Sequence, residues 1–366
     1  MTGFLLLLSF AGFTFSLSLW FFALAVNLAV LEPFLIFSGY PAQPHLETAI
    51  GLFFLPLLTV IFEKNGFIRN PVRQISKQNV FTAFIALLSL LFFFAAADKR
   101  LYFHITLFLY ALLLWTSSSR PVGHDDIGKS TDDFFSLSLL LAITGFGLWI
   151  LYDISDFSNA YLAGKIFIVY GSMNFAFFAL FPHFAKSRSD LKYLRLFIYM
   201  YIASILYEAL VLIFFKERPP AVIGNGIRLA ISAYWFFAMI RLHEIRNITS
   251  WNIILWITAA FHLAGLAGLT FLSETGIHYG HLYLAGALTP VLLLSLPLTG
   301  SKDAANLKGI MFLITAALIF FAALTRATAH TMPASNQTHL AYASFVMLAA
   351  VLLIIFRYRN ALFKKN

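Results

Sequence analysis

The residues with most chemical capacity in this 366-residue chain are its ten histidines, set against a complete lack of cysteine. Without cysteine there are no thiolate ligands, disulfides or thiol nucleophiles. A metal would have to be held by His, Met, Tyr or carboxylate. In "IHYGHLYLAGALTP", Ile277–Pro290, His278 and His281 stand three residues apart where an apolar run begins. On a helix they share a face. His45 opens another apolar run in "QPHLETAIG", His104 and His339 lie near the starts of two more, and His262 falls inside "ILWITAAFHLAGLAGL". Imidazole ligates metals in its neutral form and exchanges protons near neutral pH.

Two further groups stand out because they are charged within apolar runs. Glu208 lies eight residues before Lys216, and Arg228 eight residues after Pro220, on either side of "KERPPA". If the two runs form a helical hairpin, both residues lie about 12 Å below its turn, at a rise of about 1.5 Å per residue. Charges at such depth pair with one another or line a functional cavity. The pair reads either as a structural clasp or as a site where Arg228 faces an acidic group such as a haem propionate. Glu47, two residues after His45, points about 200° away from it on a helix. Its place after Pro44 suits a helix N-terminus, where the dipole favours a carboxylate.

The elements that must position these groups are membrane helices. Hydrophobic residues make up 60% of the chain and charged residues only 11%, against about 25% charged in soluble domains. A span needs about 20 apolar residues. The pattern predicts an all-α, polytopic transmembrane bundle forming a single integral membrane domain over 1–366. About twelve helices are expected, near 4–31, 45–63, 78–97, 100–117, 132–152, 161–184, 192–215, 222–241, 250–272, 279–298, 308–327 and 338–357. The opening "MTGFLLLLSF" has no basic region before its long apolar run, so it reads as a retained span.

Cationic residues collect in alternate loops. The loops near 64–77, 120–129, 186–195, 241–246 and 302–308, with the C-terminal tail, hold most of the Lys and Arg. By the positive-inside rule these are cytoplasmic, as are both termini, in a bacterial inner membrane. The net charge of +9 is scattered over short loops and forms no continuous basic surface, which excludes nucleic acid as a partner and leaves the lipid bilayer. The loop "SSSRPVGHDDIGKSTDD" reads as a solvated segment. The chain has no phosphate-binding glycine loop, no dinucleotide fingerprint, no HExxH and no nucleophile elbow.

On this map His45, His104, His281 and His339 each lie within about one turn of the outer start of a helix. They either converge on one cofactor or sit separately at the interface. His262 is near mid-membrane.

The order of these features resembles the NnrS family of haem- and copper-containing bacterial membrane proteins. "PHLETAIGLFF" is similar to the family's second-helix element, matching His45 and Glu47. "ALFPHFAKS" is similar to its Pro-x-Phe, with Pro182 and Phe184. "GIRLAISAYWFFAMIRLHEI" resembles its Arg-Leu segment at Arg228, and "HLYLAGA" its His-x-x-x-x-Gly helix opening at His281 and Gly286. The likeness spans most of the chain through order and topology more than strict motifs. It departs where the family has an Arg and a Gly-His-x-Gly turn, since this helix ends "SLPLTGSKDAAN". A ligand from that turn is missing.

The resemblance implies haem b and copper. His45 and His281 would be metal ligands, with Glu47, His104, Arg228, His262 and His339 around the cofactor. The implied role is in nitric oxide stress or metal handling at the outer face, with nitric oxide or a metal ion as the small-molecule partner. The residues also support a different class, a multi-helix transporter or channel with Glu208 and Arg228 on its pathway and a histidine-lined outer cavity. A relative of haem–copper oxidases is disfavoured by the lack of an adjacent His-His pair on a helix.

Overall fold

A computed structural model describes residues 99–117, 126–185, 193–215, 221–245, 249–272, 276–291, 309–331 and 336–363, with isolated positions between Glu47 and Phe94. The expected helices near 4–31, 45–63 and 78–97, and His45 with them, lie outside the described residues apart from those positions.

The described chain is helical. Helix α1 is Arg100–Ser117 and α2 is Asp126–Ser155. Helix α3 starts at Ser158–Ile166, passes through a π-helical segment Phe167–Ser172 and continues as Met173–Ala185. Helix α4 is Leu194–Phe215, and α5 is Ala221–Tyr234 followed by a π-helical turn Trp235–Met239. Helix α6 is Ser250–Phe271. The short α7, Gly276–His281, runs into a π-helical segment Leu282–Leu288. Helices α8, Ile310–Thr328, and α9, Asn336–Phe363, complete the set. These lie within a few residues of the expected helices from 100–117 onward, except that α2 starts earlier, α9 ends later, and 292–298 of the expected helix 279–298 lie outside the described residues.

Among the described residues, six helices are long and apolar enough to cross a membrane. They are Asp133–Ser155, Ser158–Pro182, Leu194–Phe215, Ile223–Glu244, Ser250–Phe271 and Ile310–Thr328. Sequential helices pack side by side: α1 on α2, α2 on α3, α4 on α5, α5 on α6, and α8 on α9.

Helix α3 is the centre. Its apolar window is 89% buried, against 39–50% for the other five spans. It packs on α2 and α4 and reaches α6 through its C-terminal half. Between membrane helices the apolar lipid supplies little hydrophobic driving force, so close packing and internal hydrogen bonds hold the bundle. Two devices provide it here.

The first is a glycine crossing. A Cβ on Gly164 would lie 2.7 Å from the Gly145 carbonyl oxygen, and one on Gly145 would lie 2.8 Å from the Gly164 oxygen. Only glycine permits α2 and α3 to approach so closely. The tight link between them turns at Asp156, whose φ of 53° is left-handed, a conformation Asp tolerates better than most residues. Close crossing and short turn together bring the end of α2 against the start of α3, and the Trp149 indole N–H donates to the Tyr161 carbonyl at 3.0 Å.

The second device is aromatic. Phe134, Phe175, Phe178, Phe197, Tyr201 and Trp235 interlock around α2, α3, α4 and α5 with ring centroids 4.8–6.4 Å apart, many in the edge-to-face arrangement that aromatic quadrupoles favour. The phenylalanine richness of the sequence thus supplies packing.

Replacing Gly164 with Leu should force α2 and α3 apart. A loss of about 1–3 kcal/mol or more, typical of overpacking, is expected as a lower melting temperature of purified protein. An unchanged transition would show that the crossing is loose.

Candidate functional site

Two buried polar clusters lie along α3. The first joins its N-terminal end to α1 and α2. His104 on α1 has no exposed surface. Its Nδ1 lies 2.6 Å from Asp153 Oδ2 on α2, and its Nε2 2.9 Å from Glu47 Oε2. Arg100, one turn before His104, donates from Nη2 to Glu47 Oε1 at 2.8 Å and lies near Asp153 at 3.7 Å. Its guanidinium sits 4.9 Å from the ring centroids of both Tyr152 and Tyr161. Both imidazole nitrogens face carboxylate oxygens, and a lone pair directed at either would be repelled. A proton on each nitrogen gives two charge-assisted hydrogen bonds. Two carboxylates, one guanidinium and one imidazolium then sum to zero, the condition under which charges are tolerated away from water.

The second cluster lies deeper, where α3, α4, α5 and the segment after α7 meet. Arg228 on α5 has no exposed surface. Its Nη2 donates to Glu208 Oε2 on α4 and to Asn225 Oδ1 one turn earlier, each at 2.5 Å. The Tyr170 ring covers the guanidinium at 4.2 Å. Gly224 makes room for the pair, since a Cβ there would lie 2.7 Å from Glu208 Oε2. Asn225 in turn donates to the Leu269 carbonyl at 3.3 Å, tying α5 to α6. Yet Nε and Nη1 of Arg228 are buried without a hydrogen-bond partner among the described residues. Orphaned charged donors of this kind are costly.

Around this arginine are grouped Tyr201 of α4 and Tyr283, whose hydroxyls face one another, and Asn174 of α3, which donates to the Tyr201 hydroxyl. His262 on α6 lies on the far side of Tyr283, at 5.0 Å between ring centroids. It stacks on Phe177 at 4.9 Å and meets Ser232 Oγ through Nε2 at 3.2 Å.

Three π-helical segments among the described residues lie near this cluster. Tyr170 belongs to Phe167–Ser172 and Tyr283 to Leu282–Leu288, while Phe236 of Trp235–Met239 packs on His262 at 5.4 Å. A π-helical turn widens the helix by one residue and releases backbone hydrogen-bonding capacity, and such turns gather at functional sites.

The candidate residues read from the sequence thus separate. Glu208 and Arg228 meet as their equal depth predicts. Glu47 does more than begin a helix, since it holds Arg100 and His104. His104 joins Glu47 and Asp153, while His262 belongs to the deeper cluster. His281 at the end of α7 and His339 near the start of α9 are half-buried. Among the described residues, no group of three or more His, Asp or Glu is arranged to hold a metal ion. Asp153, Tyr161 and Tyr170 escaped sequence reasoning. Asp153 stands at the end of an apolar run, where a solvated carboxylate is the ordinary reading, and tyrosines are common at helix ends. No family model, curated protein or solved structure matches the chain.

Removing one member of the Glu208–Arg228 pair leaves the other uncompensated, which costs about 3–5 kcal/mol at buried sites. Glu208→Leu and Arg228→Met should each lower the melting temperature strongly, and the double variant should recover most of the loss. Additive losses in this double-mutant cycle would refute direct coupling.

Replacing His104 with Phe should destabilise the protein to a similar extent, because Glu47 and Asp153 would then share Arg100 alone. Converting both carboxylates to amides in that background, Glu47→Gln with Asp153→Asn, should restore part of the stability. Failure of the amides to rescue would show that packing of the ring, not charge, is what His104 contributes.

Proposed function

We propose that this chain is a multi-pass membrane transporter or channel whose solute pathway runs past the Glu208–Arg228 pair. The observation that carries the reading is Arg228 itself, fully buried, with Nε and Nη1 unpartnered among the described residues, and bordered by Tyr170 and Tyr283 of two π-helical segments. A purely structural clasp needs a counter-charge and satisfied donors. This one has the counter-charge and keeps spare donors, as a site awaiting a polar solute does. The charge distribution of the loops adds the topology to this proposal: about twelve helices, one membrane domain and both termini cytoplasmic in a bacterial inner membrane.

The haem b and copper reading implied by the NnrS resemblance finds less support in the donor set. Both ring nitrogens of His104 face carboxylates, and Nε2 of His262 faces Ser232 within an aromatic cage. A metal ligand needs an unengaged nitrogen lone pair. A haem reading would therefore rest on His45 with His281 or His339, near nitric oxide or a metal ion at the outer face.

One preparation tests both. Purified protein in proteoliposomes should accumulate at least one radiolabelled solute from a panel of amino acids, carboxylates, amines and inorganic anions, and Arg228→Gln should abolish that uptake. The same preparation should show no Soret band and no stoichiometric iron or copper. A Soret band lost in His281→Ala, without uptake of any solute, would overturn transport in favour of the haem reading.

A further inference from the structure

We infer that the Glu208–Arg228 site binds a small zwitterion carrying one carboxylate and one ammonium group, of the amino-acid class. The inference deepens the transport reading by naming the ligand of the same site.

The first argument is spare bonding capacity on both members of the pair. Arg228 gives only Nη2 to Glu208 and Asn225. Its Nε and Nη1, with three N–H bonds between them, have no acceptor among the described residues. Glu208 gives Oε2 to Arg228, and a carboxylate has about four acceptor positions. The pair can therefore stay intact while Arg228 donates to a ligand carboxylate and Glu208 accepts from a ligand ammonium.

The second argument is charge. Arg228 and Glu208 cancel, and the titratable groups facing them are the phenols of Tyr170, Tyr201 and Tyr283. A lone anion entering such a site leaves one uncompensated negative charge in a low-dielectric interior, and a lone amine leaves a positive one. Either costs several kcal/mol. A zwitterion adds a dipole and no net charge.

The third argument is position. The Glu208 side chain is 15% exposed while Arg228 is not exposed at all. A ligand arriving from the Glu208 side meets the carboxylate first and the guanidinium last. That order places the ammonium toward the opening and the carboxylate inward, over the aromatic floor of Tyr170, Tyr201 and Tyr283. Aromatic rings also receive the apolar part of such a ligand without further polar demand.

The test uses matched trios in which one charge is removed at a time: leucine, isocaproate and isoamylamine; phenylalanine, hydrocinnamate and phenethylamine; alanine, propionate and ethylamine. Binding to the full-length wild-type protein in nanodiscs is read by calorimetry and by the shift in melting temperature. At least one amino acid should bind, and its single-charge analogues should bind at least about tenfold more weakly, the equivalent of one charge-assisted hydrogen bond. In folded Glu208→Gln protein the amino acid should lose at least about tenfold in affinity while its carboxylate analogue does not weaken. Equal binding of an analogue, binding of the carboxylate series alone, or no binding by any trio would each overturn the inference.

Proteoliposome uptake separates this result from the transport reading. Amino-acid binding without uptake would sink transport and leave the zwitterion site standing. Uptake of another solute, with no trio bound, would do the reverse.

Discussion

A guanidinium enclosed in an apolar helix bundle needs a counter-charge and acceptors close at hand, and the surroundings of Arg228 are arranged around that requirement. Water cannot screen the charge there, so neighbouring helices must. Glu208 comes from α4, Asn225 from the preceding turn of α5, and the covering ring of Tyr170 from α3. Asn225 extends the tie to α6 through the Leu269 carbonyl. One buried cation thereby sets the relative register of four helices. Apolar packing alone would tolerate slippage, since one leucine contact is much like the next. A charge-assisted bond does not, because displacement by a few ångströms exposes an unpaired ion.

The same rule governs the His104 cluster at the N-terminal end of α3. Glu47, the Arg100–His104 turn of α1 and Asp153 come from three separate parts of the chain and balance one another in charge. The two central groups differ in saturation. Both His104 nitrogens are engaged, although Nε of the neighbouring Arg100 is buried without a hydrogen-bond partner among the described residues. Arg228 keeps two nitrogens in reserve, as fits a site that exchanges partners. Complete satisfaction rigidifies a buried network, whereas partial satisfaction leaves it open to a ligand.

Helix α3 joins them. Tyr161 near its start belongs to the His104 cluster, Tyr170 and Asn174 to the Arg228 cluster, and Phe177 to the cage around His262. The glycine crossing at Gly145 and Gly164 seats the helix at the centre of the bundle. Tyr170 within the π-helical segment Phe167–Ser172 covers Arg228, and the segment rotates the residues beyond it relative to an uninterrupted α-helix, so Asn174 turns toward Tyr201. Helices α5 and α7 carry their own π-helical turns at the same cluster. Regular helices would pack more tightly there and would present their polar residues along evenly advancing stripes.

Composition alone determined that the chain is helical and built for a membrane. A chain that is 60% hydrophobic and 11% charged can satisfy its backbone in lipid through helices whose hydrogen bonds close within each segment. The helix positions from Arg100 onward were legible because their apolar runs are bounded by charges, glycines and prolines. The Glu208–Arg228 pair was legible too, because a short hairpin makes depth a matter of counting residues. Pairings between distant segments were not. Glu47 is separated from His104 by 57 positions and His104 from Asp153 by 49, and nothing local couples them. Histidines at similar depth left a shared cofactor and separate interfacial positions both open, because depth carries no information about which way a ring points around the bundle axis. That rotation was decided by the glycine crossing, the Asp156 turn and the π-helical segments. They alter helix phase by an amount that hydrophobic periodicity does not record, and so only the tertiary structure could assign Glu47 and Asp153 to His104 and leave Arg228 with donors to spare.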